Sequence, residues 1–292
     1  MFNPLDLPGP DFLVFYACVA LLVLVALYVV RSSVEGGPAR RLDTSDPYLI
    51  AYLRGGTFET LRVATVALVD RGLLKVNEDE ATIKRKVKAQ NLRLPLEQAL
   101  VDFFERERPA KDIFDDLELR AACEEYERRL STLGLLPDDE VRVARRRRLM
   151  YALVVLIGLS ALKLLVALSR GRTNVLFLVV LTVVCSIAAV KLARPFRTTR
   201  GNTMLADLRR LFARLKDRGE RIRLGKGDAD AVLLAAVFGL TALPKPAFAF
   251  AHKLYPRTSS GSGDGCGSSC GSGCGGGGCG GGCGGCGGGG GD

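Results

Sequence analysis

Phe12 to Val30 is a run of 19 residues without one charged side chain, reading FLVFYACVALLVLVALYVV. As a helix it extends roughly 28 Å, close to the hydrocarbon thickness of a bilayer. A secretory signal peptide would need a basic leading segment and an A-x-A-like cleavage site. Here Asp6 and Asp11 precede the run and no such site follows. The run therefore reads as an uncleaved membrane anchor.

Two more segments of this kind follow. Leu149 to Leu168 carries one charge, Lys163, near its far end, where the ammonium can snorkel to the interface. Val175 to Ala193 ends with Lys191. The six-residue link Ser169–Asn174 is short enough to make the pair a helical hairpin. A water-soluble hairpin would need a polar face, and these segments are apolar all round. Lys and Arg near the spans set the orientation. Arg31, Arg40, Arg41, Arg142, Arg145 to Arg148, Lys191, Arg194, Arg197 and Arg200 fall on one side, and only Arg170 and Arg172 on the other. The N-terminus is expected outside, with residues 31–148 and 194–292 cytoplasmic. Arg145 to Arg148 reads as a topology anchor touching anionic lipid rather than a nucleic-acid patch. A fourth apolar run, Ala231 to Leu243, is only 13 residues long before Pro244. That is short for a crossing, so a buried or interfacial helix is expected.

Between the first two spans lies a nearly neutral domain with its core at residues 44–140. Asp46-Pro47 reads as an N-cap followed by proline at the first helical position. The helix Pro47–Leu53 ends at Gly55-Gly56, and Thr57 opens a second helix that ends at Gly72. On that helix Phe58, Leu61, Ala64, Thr65 and Leu68 share a face. Leu73–Val76 and Ala81–Lys86 read as a β-hairpin around a polar turn. Pro95 opens a helix to about Arg106, and Asp112 or Asp115 opens another to Leu133. LVDRGLL (Leu68–Leu74) and LSTLGLL (Leu130–Leu136) are either a duplicated corner or two ordinary glycine caps. Two helices and a hairpin are partly winged-helix-like, which raises DNA binding. The hairpin offers Lys84, Arg85, Lys86 and Lys88 to phosphates, but the candidate recognition helix balances Arg62 and Arg71 against Glu59 and Asp70. A scaffold or protein-contact module fits better, and nucleic acid is not the expected partner.

The last stretch, residues 258–292, holds 20 Gly, 6 Cys and 6 Ser, and no Leu, Ile, Val or Phe. It cannot bury apolar surface against its ordering entropy and is expected to be disordered. Its cysteines are Cys266, Cys270, Cys274, Cys279, Cys283 and Cys286. Thiolates on flexible glycine can wrap a soft metal such as Zn²⁺ or Cu(I). Only Cys283–Cys286 has the CxxC spacing of a zinc knuckle, so redox-sensitive, covalently modified and purely low-complexity readings stand beside metal binding. A reducing cytoplasm argues against lasting disulfides. One histidine, His252, excludes a two-histidine zinc site and a HExxH protease. His252 reads as an interfacial side chain, Cys123 as structural, and Cys18 and Cys185 as small apolar residues inside spans. No catalytic residues and no cofactor are expected.

Three motifs, DPYLIAYLRGG (Asp46–Gly56), VALVDRGLLKV (Val66–Val76) and LLAAVFGLTAL (Leu233–Leu243), together with the Gly/Cys-rich C-terminus, carry a resemblance. The chain resembles a family of bacterial membrane proteins of uncharacterised role whose members often carry such a tail. The likeness covers most of residues 30–250 plus the tail. It implies a bacterial membrane protein and supplies no catalytic residues; the expected location is the bacterial inner membrane.

The resulting expectation is a mainly α-helical integral membrane protein. Residues 1–11 form a short external N-terminus and 12–30 the first transmembrane helix. Residues 31–148 form the cytoplasmic domain, 149–168 and 175–193 the second and third transmembrane helices, and 169–174 an external turn. Residues 194–257, with 14 basic and 5 acidic groups, form a basic juxtamembrane helical segment, and 258–292 the tail. The expected function is a non-enzymatic scaffold or interaction protein contacting the bilayer and a protein partner or tail-modifying enzyme. A metal or thiol-redox sensor and a membrane-tethered DNA-binding regulator are the alternatives.

Overall fold

The computed structural model describes residues 9–37, 42–77, 79–87, 92, 94–169, 176–218, 229–244 and 246–255. Among the described residues three helices are long and apolar enough to cross a membrane: α1 (Gly9–Glu35), α5 (Asp139–Ser169) and α6 (Leu176–Ala193). Few of their side chains are buried, and Leu21, Leu22, Val154, Leu165 and Phe177 face outward. That is the pattern of helices solvated by lipid. Their contacts follow the small and polar residues. Tyr16 Oη donates to the Leu156 carbonyl at 3.2 Å, and the Thr182 hydroxyl lies 2.9 Å from Ser160 Oγ. Near the far end of α5, the Lys163 ammonium sits 4.5 Å from the centre of the Phe12 ring.

Two of these helices outrun the apolar windows. Asp138 accepts a hydrogen bond from Val141 N at 2.9 Å and starts α5 ten residues before Leu149. At 1.5 Å per residue its 31 residues reach about 46 Å, well beyond a hydrocarbon core. The arginine run is therefore helical stalk. Likewise α1 continues through Arg31 to Glu35.

The domain is built around α2 (Pro47–Asp70), capped as expected by Asp46. Gly55 and Gly56 bend it sharply, so it is two helical arms on one kink. The hairpin forms from β1 (Leu74–Asn77) and β2 (Thr82–Arg85), in register Val76 to Ile83. A third strand completes an antiparallel sheet of order β1-β2-β3. It is β3 (Arg108–Pro109), only two residues long and too short to show alternation in the sequence. The helix opened by Pro95 is α3 (Pro95–Phe103). The last helix of this stretch, α4 (Leu117–Thr132), is capped by Asp116, not by Asp112 or Asp115, because a 3-10 turn occupies Ala110–Phe114. Gly72 and Gly134 both hold positive φ (74° and 71°) and close α2 and α4 with the same bonds, Leu73 N to Leu68 O and Leu135 N to Leu130 O. A strand follows the first and the approach to α5 follows the second, so the shared LxxxGLL pattern marks two ordinary glycine caps.

After α6 come α7 (Thr199–Leu211), α8 (Ala213–Arg218), α9 (Ala229–Phe238) and α10 (Ala249–Leu254). The apolar α9 packs along α2, in one continuous core with Leu49, Leu61, Leu100 and Leu130. The stretch read as juxtamembrane thus contributes much of its apolar content to the domain. Residues on either side of the α5–α6 hairpin share one core, so both lie on one side of the spans. The tail lies outside the described residues.

Candidate functional site

Where the spans meet the domain, arginines do the joining. Glu35 at the end of α1 is almost fully buried. Arg145, on the stalk of α5, grips it with Nε and Nη2, both at 2.6 Å. The same guanidinium donates from Nη1 to the Pro195 carbonyl at 2.7 Å and from Nη2 to the Arg197 carbonyl at 3.3 Å. One residue of the run read as a lipid-touching anchor is therefore an internal clamp, tying α1, α5 and the segment leaving α6. Arg146 and Arg147 remain exposed. A buried ion pair holds when each charge is matched and its remaining donors are satisfied, as these are.

The clamp continues into the domain. Arg197 donates to the carbonyls of Leu53 and Arg54 at the kink of α2. Arg200 donates twice to the Gly36 carbonyl, at 2.9 and 2.7 Å. Thr198 caps α7, accepting from Gly201 N at 3.1 Å, while its own N–H reaches the Leu135 carbonyl at 3.2 Å. Gly201 allows this approach: a β-carbon there would sit 2.2 Å from the Leu135 carbonyl oxygen. The Phe196 ring lies close to Gly56, 3.1 Å from where a β-carbon there would sit. Sequence inspection counted these arginines as topology signals. Their partners are main-chain carbonyls, which carry no sequence signature.

Two cavities flank this junction. The first, about 620 Å³, lies between the α4–α5 corner, the stalk of α5 and the exit of α6. Glu127 lines it, pairs with Arg142 and accepts from Tyr52 Oη at 2.8 Å. Burial pushes the Glu127 carboxyl upward, but the Arg142 and Tyr52 hydrogen bonds outweigh it and hold the pKa below its ordinary value. The second, about 670 Å³, lies inside the domain between the kink of α2, the end of α9 and α10. Glu59 there bridges Arg54 and Arg62. Arg54 also donates to the Ala236 carbonyl at 2.8 Å, and burial lowers its pKa. The Arg62 guanidinium rests on the rings of Phe114 and Tyr255, 5.4 and 5.7 Å from their centres. Arg62 Nε, His252 Nε2 and the Tyr255 hydroxyl are buried without hydrogen-bond partners among the described residues. His252, expected at an interface, thus lines a domain cavity. Orphaned donors beside an already engaged carboxylate suit water or a small polar ligand.

The expected thiol site stands apart. Cys266, Cys270, Cys274, Cys279, Cys283 and Cys286 lie outside the described residues, as does Lys88 of the basic hairpin. Among the described residues no three His, Cys, Asp or Glu side chains converge on a metal position. Cys123 is fully buried, and burial pushes its thiol up to about 12, so it stays a protonated core side chain at neutral pH. The candidate recognition helix, the second arm of α2, is buried at Thr60, Leu61 and Val63 through Leu68. Phe58, placed by the sequence on one face with Leu61 and Leu68, is 53% exposed. Of the basic wing, Arg85 is already paired with Glu105 at 2.7 Å. No family model, no curated protein and no solved structure matches this chain.

Proposed function

We propose that this chain is a membrane-anchored, non-enzymatic interaction protein that holds its Gly/Cys-rich arm on a domain fixed to the membrane surface. The observation that supports this most is the arm's root. Tyr255, the last described residue before it, is buried in the core that also holds α2 and α9. That core is tied to all three spans through Arg145, Arg197 and Arg200. Such mounting suits display of a segment at a set distance from the bilayer better than free diffusion of it. The excess of arginine on the domain side supports an N-terminus outside and a cytoplasmic domain and arm. The resemblance of three motifs to those of a bacterial membrane family is what points to the inner membrane of a bacterium as the site.

The test is proximity labelling from an enzyme fused after Asp292, in native membranes. The same neighbour should be labelled with the full chain and lost when the chain stops after Tyr255, with the membrane fraction unchanged. Identical labelling without the arm would contradict the proposal. The second reading, a metal or redox sensor, draws support from six thiols within 21 residues (Cys266 to Cys286). It requires tight, stoichiometric Zn²⁺ or Cu(I) binding that six Cys→Ser replacements abolish. The DNA-binding reading is disfavoured by the burial of the second arm of α2.

A further inference from the structure

We propose that the cavity between the α4–α5 corner and the exit of α6 binds the headgroup of an anionic phospholipid. Four guanidiniums line it, those of Arg142, Arg145, Arg146 and Arg194, against the single carboxylate of Glu127. Two of the four are committed: Arg145 to Glu35, and Arg142 to Glu127 and Asp139. The side chains of Arg146 and Arg194 form no ion pair or hydrogen bond among the described residues, and both residues are exposed at the cavity. The site therefore presents two unspent cations.

Its depth selects the ligand. Arg146 precedes the first apolar residue of the second span, Leu149, by three positions, about 4.5 Å along the helix. Arg194 directly follows Ala193, the last residue of α6. The cavity thus opens at headgroup level. Ala193, Phe196 and Leu136 give it an apolar wall beside the cations. A phospholipid matches both halves, with a phosphate for the guanidinium forks and a glycerol–acyl region for the wall. Free inorganic phosphate matches only the first. The volume, about 620 Å³, falls within the roughly 300–1,000 Å³ of sites that enclose small ligands.

A general attraction of basic residues to an anionic surface is the competing explanation, and it treats all arginines of the run alike. The cavity does not: Arg147 is exposed on the same stalk but does not line it. The site depends on the spans and not on the scaffold role of the arm, so either can fail without the other.

The experiment uses the full chain in nanodiscs of neutral phosphatidylcholine, with and without phosphatidylglycerol. Retained lipid is read by native mass spectrometry, and the thermal midpoint is followed in parallel. The wild type should retain phosphatidylglycerol selectively and melt higher with it. R146Q and R194Q should each weaken retention about tenfold, the loss expected for one charge-assisted contact. R147Q, with the same change of charge, should retain lipid like the wild type. Midpoints in neutral discs report whether each variant is folded, and the lipid selectivity of the wild type stands as a readout without any variant. Equal losses in R147Q and R146Q would overturn the proposal in favour of diffuse attraction. Equal stabilisation by millimolar inorganic phosphate would overturn the lipid assignment, and no selectivity for phosphatidylglycerol would overturn the site.

Discussion

The three spans and α9 are similarly apolar, yet they bury their side chains in opposite ways. In the spans Leu22 is 69% and Leu165 65% exposed, while in α9 Leu234 and Ala236 are fully buried. The difference is the surrounding medium. Lipid solvates an apolar side chain as well as a protein core does, so span residues gain little from packing inward. Ten residues cannot cross a bilayer, and the apolar α9 instead buries itself against α2. Hydropathy alone does not separate the two cases. Length, and the presence of a matching apolar surface on α2, do.

The largest predicted effect lies at the seam between these regions. Glu35→Gln leaves the Arg145 charge buried without its partner, which should cost about 3–5 kcal/mol of stability. A double Glu35→Met, Arg145→Met variant should recover a large part of that loss. If the single variant melts like the wild type in neutral lipid, the clamp carries no weight. Next comes the contrast between regions. Leu61→Ala, in the domain core, should cost about 2–5 kcal/mol. Leu165→Ala, facing lipid, should cost less than about 1 kcal/mol, because its side chain packs mainly on acyl chains. Equal costs would mean that the two regions do not differ as described.

The sequence-based expectations divide along the same line. The spans were legible because a bilayer demands an uninterrupted apolar window, and each window carries its own signal. The hairpin, the Asp46 cap and the glycine caps were legible for the same local reason. The place of α9 was only partly so, because its partner surface on α2 lies about 170 residues earlier and its pattern is apolar all round. The stalk of α5 was missed because a hydropathy window ends at the first arginine, although arginine is a good helix former and Asp138 supplies the cap. The roles of Arg145, Arg197 and Arg200 were invisible for a different reason. Four charges in a row announce a membrane boundary, and nothing in the row says which one turns inward.

Smaller effects sharpen the seam. Gly201→Ala pushes a β-carbon into the Leu135 carbonyl and should cost about 1–3 kcal/mol, read as a lower thermal midpoint. An unchanged midpoint would show that α7 does not dock this closely. Glu127 adds a pH dependence. Its folded pKa is depressed, so its stabilising contribution is present above the ordinary carboxylate value, about 4.3, and is lost as pH falls through the folded value. The midpoint difference between the wild type and Glu127→Gln should therefore be full at neutral pH and shrink below about pH 4. A difference that grows in acid would reverse the assignment. The smallest signal is chemical. With the tail thiols replaced by serine, Cys123 should resist a water-soluble maleimide until the domain unfolds, because its thiol is buried and protonated.

The central claim is that the segments before and after the α5–α6 hairpin form one domain on one side of the membrane. Its most direct measurement places one topology reporter in the β1–β2 turn at Asp79 and another directly after Tyr255. Both should report the same side, and an Ala236→Asp substitution in α9 should expose the domain to protease without altering that topology. Reporters on opposite sides would mean that residues 229–255 cross the bilayer, and the shared core of α2 and α9 would not exist.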